Sequence, residues 1–344
     1  MNTPWTEYLA REGGATFDGT SIRFGASDAG LRAAAAATVV VPLTHLGLIR
    51  SSGEDSAPFL HNLFSNDVNK LAPEAVQWNS FNSPKGRMLA SFLLWRETAG
   101  HMLAVSADIQ PALLKKLSMY VLRSKVKLSD ADSDTVLLGV NGADASGVLG
   151  RAGLPLPAAP MHQAAAGETR CLQLDAQSFV LTLPAGEAAA CFGGLLAAGA
   201  LRAGSATWQL AMIRAGLPLV TAPTQDEFVA QMLNYEVIGG VSFNKGCYPG
   251  QEIVARTQYL GKLKKRMYRV HVAAGAPPEP GTDLYTPEFG DQSAGKLVNV
   301  VAAPDGGFEA LAVLRVSCAA TGDVRVGRPD GPPLDFLDLP YALP

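Results

Sequence analysis

Hydrophobic and polar residues alternate along this chain in patterns that predict both helices and strands. Apolar residues recur at helical spacing after a polar entry, which predicts a helix from about Asp55 to Asn66. Two apolar runs, Val76–Phe81 and Met88–Trp95, flank a break containing Pro84 and Gly86, which predicts a hairpin. The same patterns predict two further helices, Ile109–Val121 and Glu187–Leu201. They also predict strands at His101–Ser106, Lys125–Leu128, Thr135–Val140, Cys171–Leu174 and Phe179–Leu183. Strands followed by helices in this order indicate two α+β units.

The pattern changes after Arg266 to short alternating runs separated by turns rich in Pro and Gly. These runs are Tyr268–Val272, Lys296–Val301 and Leu311–Val316, and they predict a small C-terminal β-barrel. The first 38 or so residues have little periodicity and are expected to form a partly ordered arm or a first hairpin.

Length and composition indicate a globular protein of two or three domains. The chain has 344 residues, of which 48% are hydrophobic and 17% charged, which excludes intrinsic disorder, coiled coil and collagen. A net charge of -3 gives no overall field that would steer the protein onto nucleic acid or an anionic membrane. The N-terminus lacks the pattern of a secretory signal and no apolar stretch is long enough to span a bilayer, so we expect a cytoplasmic protein without membrane contact.

The cysteines and histidines are scattered. Cys171, Cys191, Cys247 and Cys318 form no CxxC pair, and the five histidines form no ligand cluster. We therefore expect reduced thiols and no metal site.

The most distinctive segment is residues 241–256, with the sequence VSFNKGCYPGQEIVAR. Gly246, Pro249 and Gly250 should place Cys247 on a defined bend. If the chain is helical from Ile253 onward, Glu252 and Arg256 are four residues apart and can pair, while Lys245 or Arg256 near the thiol would favour the thiolate. The alternative is that Cys247 is a small buried residue in a tight turn.

Residues Lys245–Glu252, KGCYPGQE, resemble the signature of the YgfZ family, folate-binding proteins related in structure to the T-protein aminomethyltransferase of glycine cleavage. The resemblance covers roughly residues 40–344 and extends through residues 59–68, 83–88, 120–126, 215–218 and 339–341. It implies a T-protein-like α+β fold: a three-domain ring of two α+β domains and a C-terminal β-barrel around a central folate pocket. On that basis we expect an N-terminal arm and folate-binding domain over 1–140, a second domain over 141–262 that ends in the motif, and a barrel over 263–344, where the first two domains can interdigitate.

The same resemblance implies the site residues and the cofactor. Cys247 matches the family's functionally important cysteine, and the cofactor would be tetrahydrofolate or a one-carbon derivative. Trp208 matches a tryptophan of the folate site, although aromatic residues also dominate cores and Trp208 can equally be one. Leu46 stands where the family has a second tryptophan. The motif residues Tyr248 and Gln251 complete the candidate folate contacts.

The positions at which the T-protein carries acidic residues hold Ala90, Ser91 and Arg214 in this chain. Without those acids aminomethyl transfer is disfavoured, and whether the protein is an enzyme is left open. The resemblance implies a tetrahydrofolate-binding factor for iron–sulfur cluster assembly or repair that indirectly supports tRNA methylthiolation, with iron–sulfur proteins or assembly factors as partners. The alternatives are a folate-dependent aminomethyl or methyl transferase and a non-catalytic scaffold that binds folate or tRNA.

In the first of these functions Cys247 would act as a transient thiolate toward a cluster, a sulfur species or a folate one-carbon unit. Lys245 and Arg256 would hold its charge, and Glu252 would fix Arg256. A run of cations follows the motif without an acid until Glu279, and it includes Lys262, Lys264, Lys265 and Arg266. This run, which Lys85 and Arg87 could join, is a candidate contact for the glutamyl tail of folate or for tRNA phosphates. The alternative is a solvated strand edge, where lysines prevent unwanted pairing.

Overall fold

The chain folds into two compact units, each assembled from separate stretches of sequence. The structure is a computed structural model that describes residues 3–25, 31–32, 36–261 and 263–344. Unit 1 comprises Met1–Phe59, Lys70–Gln77 and Leu93–Ala211, and unit 2 comprises Leu60–Asn69, Trp78–Phe92 and Met212–Pro344. The division into three domains after residues 140 and 262 stays a prediction.

Unit 1 begins with helix α1 (Thr3–Arg11) and a hairpin of β1 (Ala15–Asp18) and β2 (Ser21–Phe24). Its six-stranded sheet consists of β3 (Val39–Pro42), β9 (Thr135–Asn141), β10 (Gln163–Ala166), β11 (Thr169–Gln173), β12 (Ser178–Pro184) and β13 (Leu201–Arg202). The strand order is β10-β11-β12-β9-β3-β13, and only the β3–β13 pair is parallel among the pairs described. Helices α4 (Ala145–Arg151) and α5 (Ala188–Ala197) belong to this unit, and their apolar residues share a core with the sheet through Val148, Leu138, Leu181 and Phe192.

A five-stranded sheet has the order β5-β6-β7-β4-β8. Its strands are β4 (Leu46–Ser52), β5 (Val76–Asn82), β6 (Met88–Glu97), β7 (Gly100–Ser106) and β8 (Lys127–Asp130), and helix α3 (Gln110–Ser118) follows β7. Residues of β5, β6 and helix α2 (Ser56–His61) belong partly to each unit. The predicted hairpin is confirmed, because the turn between β5 and β6 closes with the Ser83 amide donating to the Arg87 carbonyl at 2.8 Å.

Unit 2 ends in a curled half-barrel, in the place where the sequence predicts a small barrel. Its strands are β14 (Lys265–Val272), β15 (Asp283–Tyr285), β16 (Gly295–Ala302), β17 (Phe308–Arg315), β18 (Arg325–Val326) and β19 (Leu334–Leu337). The order is β18-β15-β16-β17-β14-β19, all pairs antiparallel. The edge strand β18 has only two residues, and it is joined to the residue before β19 by a single bridge from Arg325 to Pro333 rather than to β19 by a full ladder.

Three further α-helices are α6 (Ser205–Arg214), α7 (Gln251–Tyr259) and α8 (Val316–Thr321). Helix α7 begins at Gln251, so the condition on which Glu252 and Arg256 could pair, helical structure from Ile253 onward, is met. Helix α2 is shorter than predicted and ends at His61, because the next residues form a turn in which the Leu63 amide donates to the Leu60 carbonyl at 3.1 Å. Among the described residues no helix combines the length and the hydropathy needed to cross a bilayer.

Candidate functional site around Cys247

The Cys247 loop, residues 245–250, is held by two separate stretches of unit 2. The first is the segment 61–67, whose His61 and Phe64 carbonyls accept hydrogen bonds from Nζ of Lys245. The same segment also holds the residues before the loop, because Ser65 Oγ donates to the Gly240 carbonyl at 2.7 Å and the Ser242 amide donates to the Ser65 carbonyl at 3.0 Å. The second is the hairpin turn 83–87. Gly250 has φ +77°, and a Cβ built on it would lie 2.5 Å from the Ser83 carbonyl oxygen, so only glycine permits this approach.

Cys247 is exposed in this loop, and the alternative of a small buried residue does not hold. The other thiols differ from it. Cys171 and Cys318 are buried, and burial raises the pKa of Cys171 to about 12 and that of the half-buried Cys191 to about 11. A raised pKa lowers the thiolate fraction, so these two thiols are poor nucleophiles near neutral pH.

The side chain of Lys245 donates hydrogen bonds to the backbone of segment 61–67, which supports the Cys247 loop. Its ammonium donates to the carbonyls of His61 and Phe64, the latter at 2.5 Å, and it lies 4.7 Å from the ring centroid of Tyr248. Burial lowers the pKa of Lys245 to about 8, an effect that the nearby carboxylate of Asp67 opposes. The donors described for Lys245 are used on carbonyls at the end of helix α2 and just after it, while its role as a counter-charge for Cys247 stays a prediction.

This geometry predicts the effect of Lys245→Met. The unfolded chain keeps the lysine proton up to a pKa near 10.5, whereas the folded protein releases it near 8, so wild-type stability rises with pH across this interval relative to the variant. We expect the difference in free energy of unfolding to change by about 1–3 kcal/mol between these limits.

Urea unfolding of both proteins from pH 7 to pH 10 measures this difference, and subtraction removes the titration of shared groups. A difference that stays constant with pH would show that the folded protein holds the lysine proton as tightly as the unfolded chain does. The pH profile of Cys247 alkylation should be the same in both proteins.

His61 and Asp67 form a pair beside the loop that the sequence did not single out as chemistry. Nδ1 of His61 lies 3.1 Å from Oδ1 of Asp67, and both side chains are only 12% exposed. On the other side of the ring, Nε2 would lie 3.6 Å from a Cβ built on Gly246, the residue before Cys247. The imidazole thus lies between a carboxylate and the Cys247 loop, and the six-residue spacing in HNLFSND was the available signal.

The predicted ion pair between Glu252 and Arg256 does not form among the described residues. Both side chains are exposed on helix α7, and a solvated pair of this kind gains only about 0.3–0.5 kcal/mol, too little to hold two long side chains together. Gln251 is the first residue of the helix, half-buried, with its amide donating to the Tyr248 carbonyl at 3.1 Å. Tyr248 is 7% exposed, and burial raises its pKa to about 12.

Trp208 and Leu46 lie in unit 1 and pack against protein there. Trp208 is 3% exposed, and a Cβ on Gly139 would lie 2.4 Å from its Cε3, so the indole fills the space that the glycine leaves. Leu46 lines a cavity of about 40 Å³ together with Leu43 and Asp132, which has room for little more than one water. These contacts are those of core residues, and the folate role of both side chains stays a prediction.

The positions that carry acids in the T-protein have other roles here. Ser91 is buried and its hydroxyl accepts a hydrogen bond from the Val220 amide at 2.8 Å. Arg214 binds the carboxylate of Glu309 through two nitrogens, with Nη2 2.5 Å and Nε 3.1 Å from Oε1. Glu309 is 7% exposed at its side chain, so the substituted cation is neutralised by a buried partner.

The predicted basic run is divided by the fold. The prediction is wrong for Arg266, which is not available to an anion. Its Nη1 lies 2.6 Å from Oε1 of Glu236, and both side chains are about nine-tenths buried, at 10% and 9% exposure. Lys264 is exposed and Lys265 half-buried, while Lys262 lies outside the described residues. Within the described part of the chain, no three or more His, Cys, Asp or Glu side chains come together as a metal site would need.

Known proteins resemble this chain over nearly its whole length. The model of the GCVT N-terminal domain matches residues 5–229. The tRNA-modifying protein YgfZ of Sodalis glossinidius is 30% identical over 309 residues, which are 88% of this chain and 93% of that relative. The protein of the same name from Cronobacter sakazakii is 30% identical over 318 residues, 90% of this chain and 96% of its own. This chain belongs to the YgfZ family.

The fold of this family member is that of the T-protein. The crystal structure of the glycine cleavage system aminomethyltransferase T from Bartonella henselae matches with a TM-score of 0.80 and 19% identity, covering 98% of this chain and 97% of that one. Both the resemblance carried by KGCYPGQE and the expected α+β, T-protein-like fold are confirmed. In this YgfZ-family chain the motif forms the Cys247 loop and the first residues of helix α7.

Proposed function

We propose that this protein is a tetrahydrofolate-binding factor that supports tRNA modification, with Cys247 as its reactive group. The observation that carries the proposal is an exposed thiol on a loop that is fixed from two sides, by the bonds of Lys245 to segment 61–67 and by the close approach of Gly250 to the hairpin turn at Gly86. A structural cysteine needs no such support, whereas a thiol that must meet a reaction partner in one geometry does.

Folate binding is supported by the family and by the chemistry of buried polar atoms. Proteins of the GCVT fold bind folate in general, and the relatives at 30% identity are named as tRNA-modifying proteins. In unit 2, Asn82 Nδ2 and Gln231 Oε1 are buried without a hydrogen-bond partner among the described residues. Each atom keeps a hydrogen-bonding capacity that a polar group of folate would use, and we propose Asn82 and Gln231 as contacts of the cofactor. A bound one-carbon derivative of tetrahydrofolate would supply a one-carbon unit, and unsubstituted tetrahydrofolate would accept one.

The finer part of the proposal is that tRNA modification is supported through iron–sulfur cluster assembly or repair. One exposed cysteine cannot supply the set of thiolates that holds a cluster, so Cys247 would act transiently, with the cluster held by a partner iron–sulfur protein or assembly factor. His61, whose ring lies between Asp67 and Gly246, is suited to exchange a proton with a group at this loop.

An aminomethyl or methyl transferase is the second candidate, and the site argues against it. Transfer at a folate nitrogen benefits from a carboxylic acid, yet Ala90 and Ser91 supply none and Arg214 is bound to Glu309. The remaining candidate, a scaffold without chemistry, would not need Cys247.

The test is rescue of a strain that lacks its own family member, measured as tRNA methylthiolation and iron–sulfur enzyme activity. We expect Cys247→Ser to lower rescue at least about tenfold, as when a nucleophile is removed, while folding and folate binding persist. Cys191→Ser is the matched control and should rescue fully, because that thiol is half-buried with a raised pKa. Equal rescue by both variants would support the scaffold, and turnover of a methylene-folate donor by Cys247→Ser would support the transferase.

A further inference from the structure

Four cations from different elements of unit 2 lie together beside the curled half-barrel. Lys265 on β14 is directly opposite Arg315 on β17, and Lys296 on β16 is opposite Val313, two residues before Arg315 and so on the same face. Arg87, at the end of the hairpin turn, is the fourth member. We call these residues the Lys265 cluster.

The electrostatics show that the four charges act on one another. The pKa of Lys265 is lowered first by burial and then by the positive charges of Arg315, Arg87 and Lys296, with Asp283 opposing. Like charges directly opposite each other on neighbouring strands destabilise a sheet. The cluster is therefore unfavourable for folding unless an anion neutralises it.

The protein itself neutralises the cluster only in part. Lys296 lies 3.5 Å from Asp283 and 3.8 Å from Glu227, so the two nearby carboxylates face the same lysine. Among the described residues, Arg87 donates to backbone carbonyls, those of Asp226 at 3.2 Å and Glu227 at 2.7 Å. Within this part of the chain Lys296 thus has carboxylate partners, whereas Lys265, Arg315 and Arg87 have none within 4 Å.

Arg315 is the cation of the cluster whose guanidinium is held in one plane. The group stacks over the ring of Phe289 at 4.3 Å. Its Nε is buried and has no hydrogen-bond partner among the described residues. A phosphate would therefore meet the terminal nitrogens of this fixed guanidinium, whose planar geometry is suited to phosphate oxygens.

An exposed aromatic side chain lies on the helix that the hairpin turn contacts. The hairpin turn that carries Arg87 packs on the Cys247 loop and helix α7, where a Cβ on Gly86 would lie 2.8 Å from Cβ of Ile253. Helix α7 ends in Tyr259, which is 68% exposed and stacks edge-on against Phe243 at 6.0 Å. Cations that bind phosphates and an exposed ring that can stack on a base are the two components of a contact with single-stranded nucleic acid.

We propose that the Lys265 cluster binds backbone phosphates of RNA and so places a tRNA at the Cys247 loop. This proposal rests on the proposed function and names the partner of the same site. It replaces the predicted patch of consecutive cations by four residues that the half-barrel and the hairpin bring together. Arg266, which is buried against Glu236, has no part in it.

The experiment measures binding of fluorescently labelled, unmodified tRNA by anisotropy over a range of salt concentrations. We expect the double variant Lys265→Gln/Arg315→Gln to bind about 10- to 30-fold more weakly near 0.1 M salt and to lower the salt slope of log K by about 1.5–2, as for the loss of two phosphate contacts. The control Lys115→Gln/Lys127→Gln removes the same charge from exposed lysines of unit 1 and should bind as wild type does.

Thermal unfolding separates loss of binding from loss of folding. Because the double variant removes a pair of like charges, its melting temperature should equal or exceed that of wild type. Equal tRNA affinity of the wild type and the double variant, or equal weakening by the control, would overturn the proposal. It would also be overturned if inorganic phosphate or triglutamate, but not tRNA, bound in a cluster-dependent way. Folate binding and Cys247-dependent rescue are measured separately, so the failure of either proposal is visible without the other.

Discussion

Gly250→Ala should lower the free energy of unfolding by about 3 kcal/mol or more and release the Cys247 loop from its support. At φ +77° a side chain is strained, and the new Cβ would also lie 2.5 Å from the Ser83 carbonyl oxygen and 2.6 Å from Cα of Gly86. Both contacts are with backbone, so no side chain can rotate away to relieve them. Urea unfolding and the alkylation rate of Cys247 measure the two effects.

Gly239→Ala is the matched control for this substitution. Gly239 has nearly the same backbone angle, φ +75°, but a Cβ there would have nothing within 4 Å. Gly239→Ala should therefore lower the free energy of unfolding only by the cost of placing alanine in the left-handed conformation, about 1–2 kcal/mol. If the two variants were equally stable, the contact between the loop and the hairpin turn would contribute nothing, and the case for a supported thiol would be lost.

Glu236→Gln should destabilise the protein by about 3–5 kcal/mol, because it leaves the charge of Arg266 buried without its partner. Nη1 of Arg266 lies 2.6 Å from Glu236 and 3.2 Å from Oδ1 of Asn234, and the amide of glutamine cannot replace the carboxylate. The measurement is the midpoint of urea unfolding at constant slope.

A surface pair of unit 2 provides the comparison for Glu236. Asp323 lies 3.1 Å from Arg325, with the two side chains 49% and 37% exposed, so Asp323→Asn should cost at most about 1 kcal/mol. A similar small loss for Glu236→Gln would mean that water reaches Arg266 in solution. The cation would then be available to a ligand, as the sequence had suggested.

Local patterns were enough to predict much of the fold. The break with Pro84 and Gly86 predicted the hairpin, because a turn of this kind depends on residues that are neighbours in sequence. Strands β3 and β4 were missed, although Val39–Pro42 is fully buried, because so short an apolar run carries no clear period. The alternation after Arg266 predicted strands, but it did not predict that the sheet would close by one bridge.

The electrostatics of the site could not be predicted in the same way. Lys245 and Arg266 were interpreted as cations available to a thiolate or to an anion. Their partners are the His61 and Phe64 carbonyls and Glu236, which lie far along the chain and have no local signature. Conversely, Arg315 and Lys296 were not noticed, since only the strand register brings them to Lys265.

The contacts that support the Cys247 loop also determine when this site can fold during synthesis. Lys245 bonds to carbonyls that precede it by 184 and 181 residues, and Gly250 meets the turn at Ser83. On the ribosome, segments 61–67 and 83–87 are therefore synthesised long before the residues that they hold, and they must wait while more than a hundred intervening residues emerge. The thiol reaches its final setting only after residues 245–250 have emerged and have met both earlier segments, so a product that lacks either segment cannot present Cys247 in its reactive geometry.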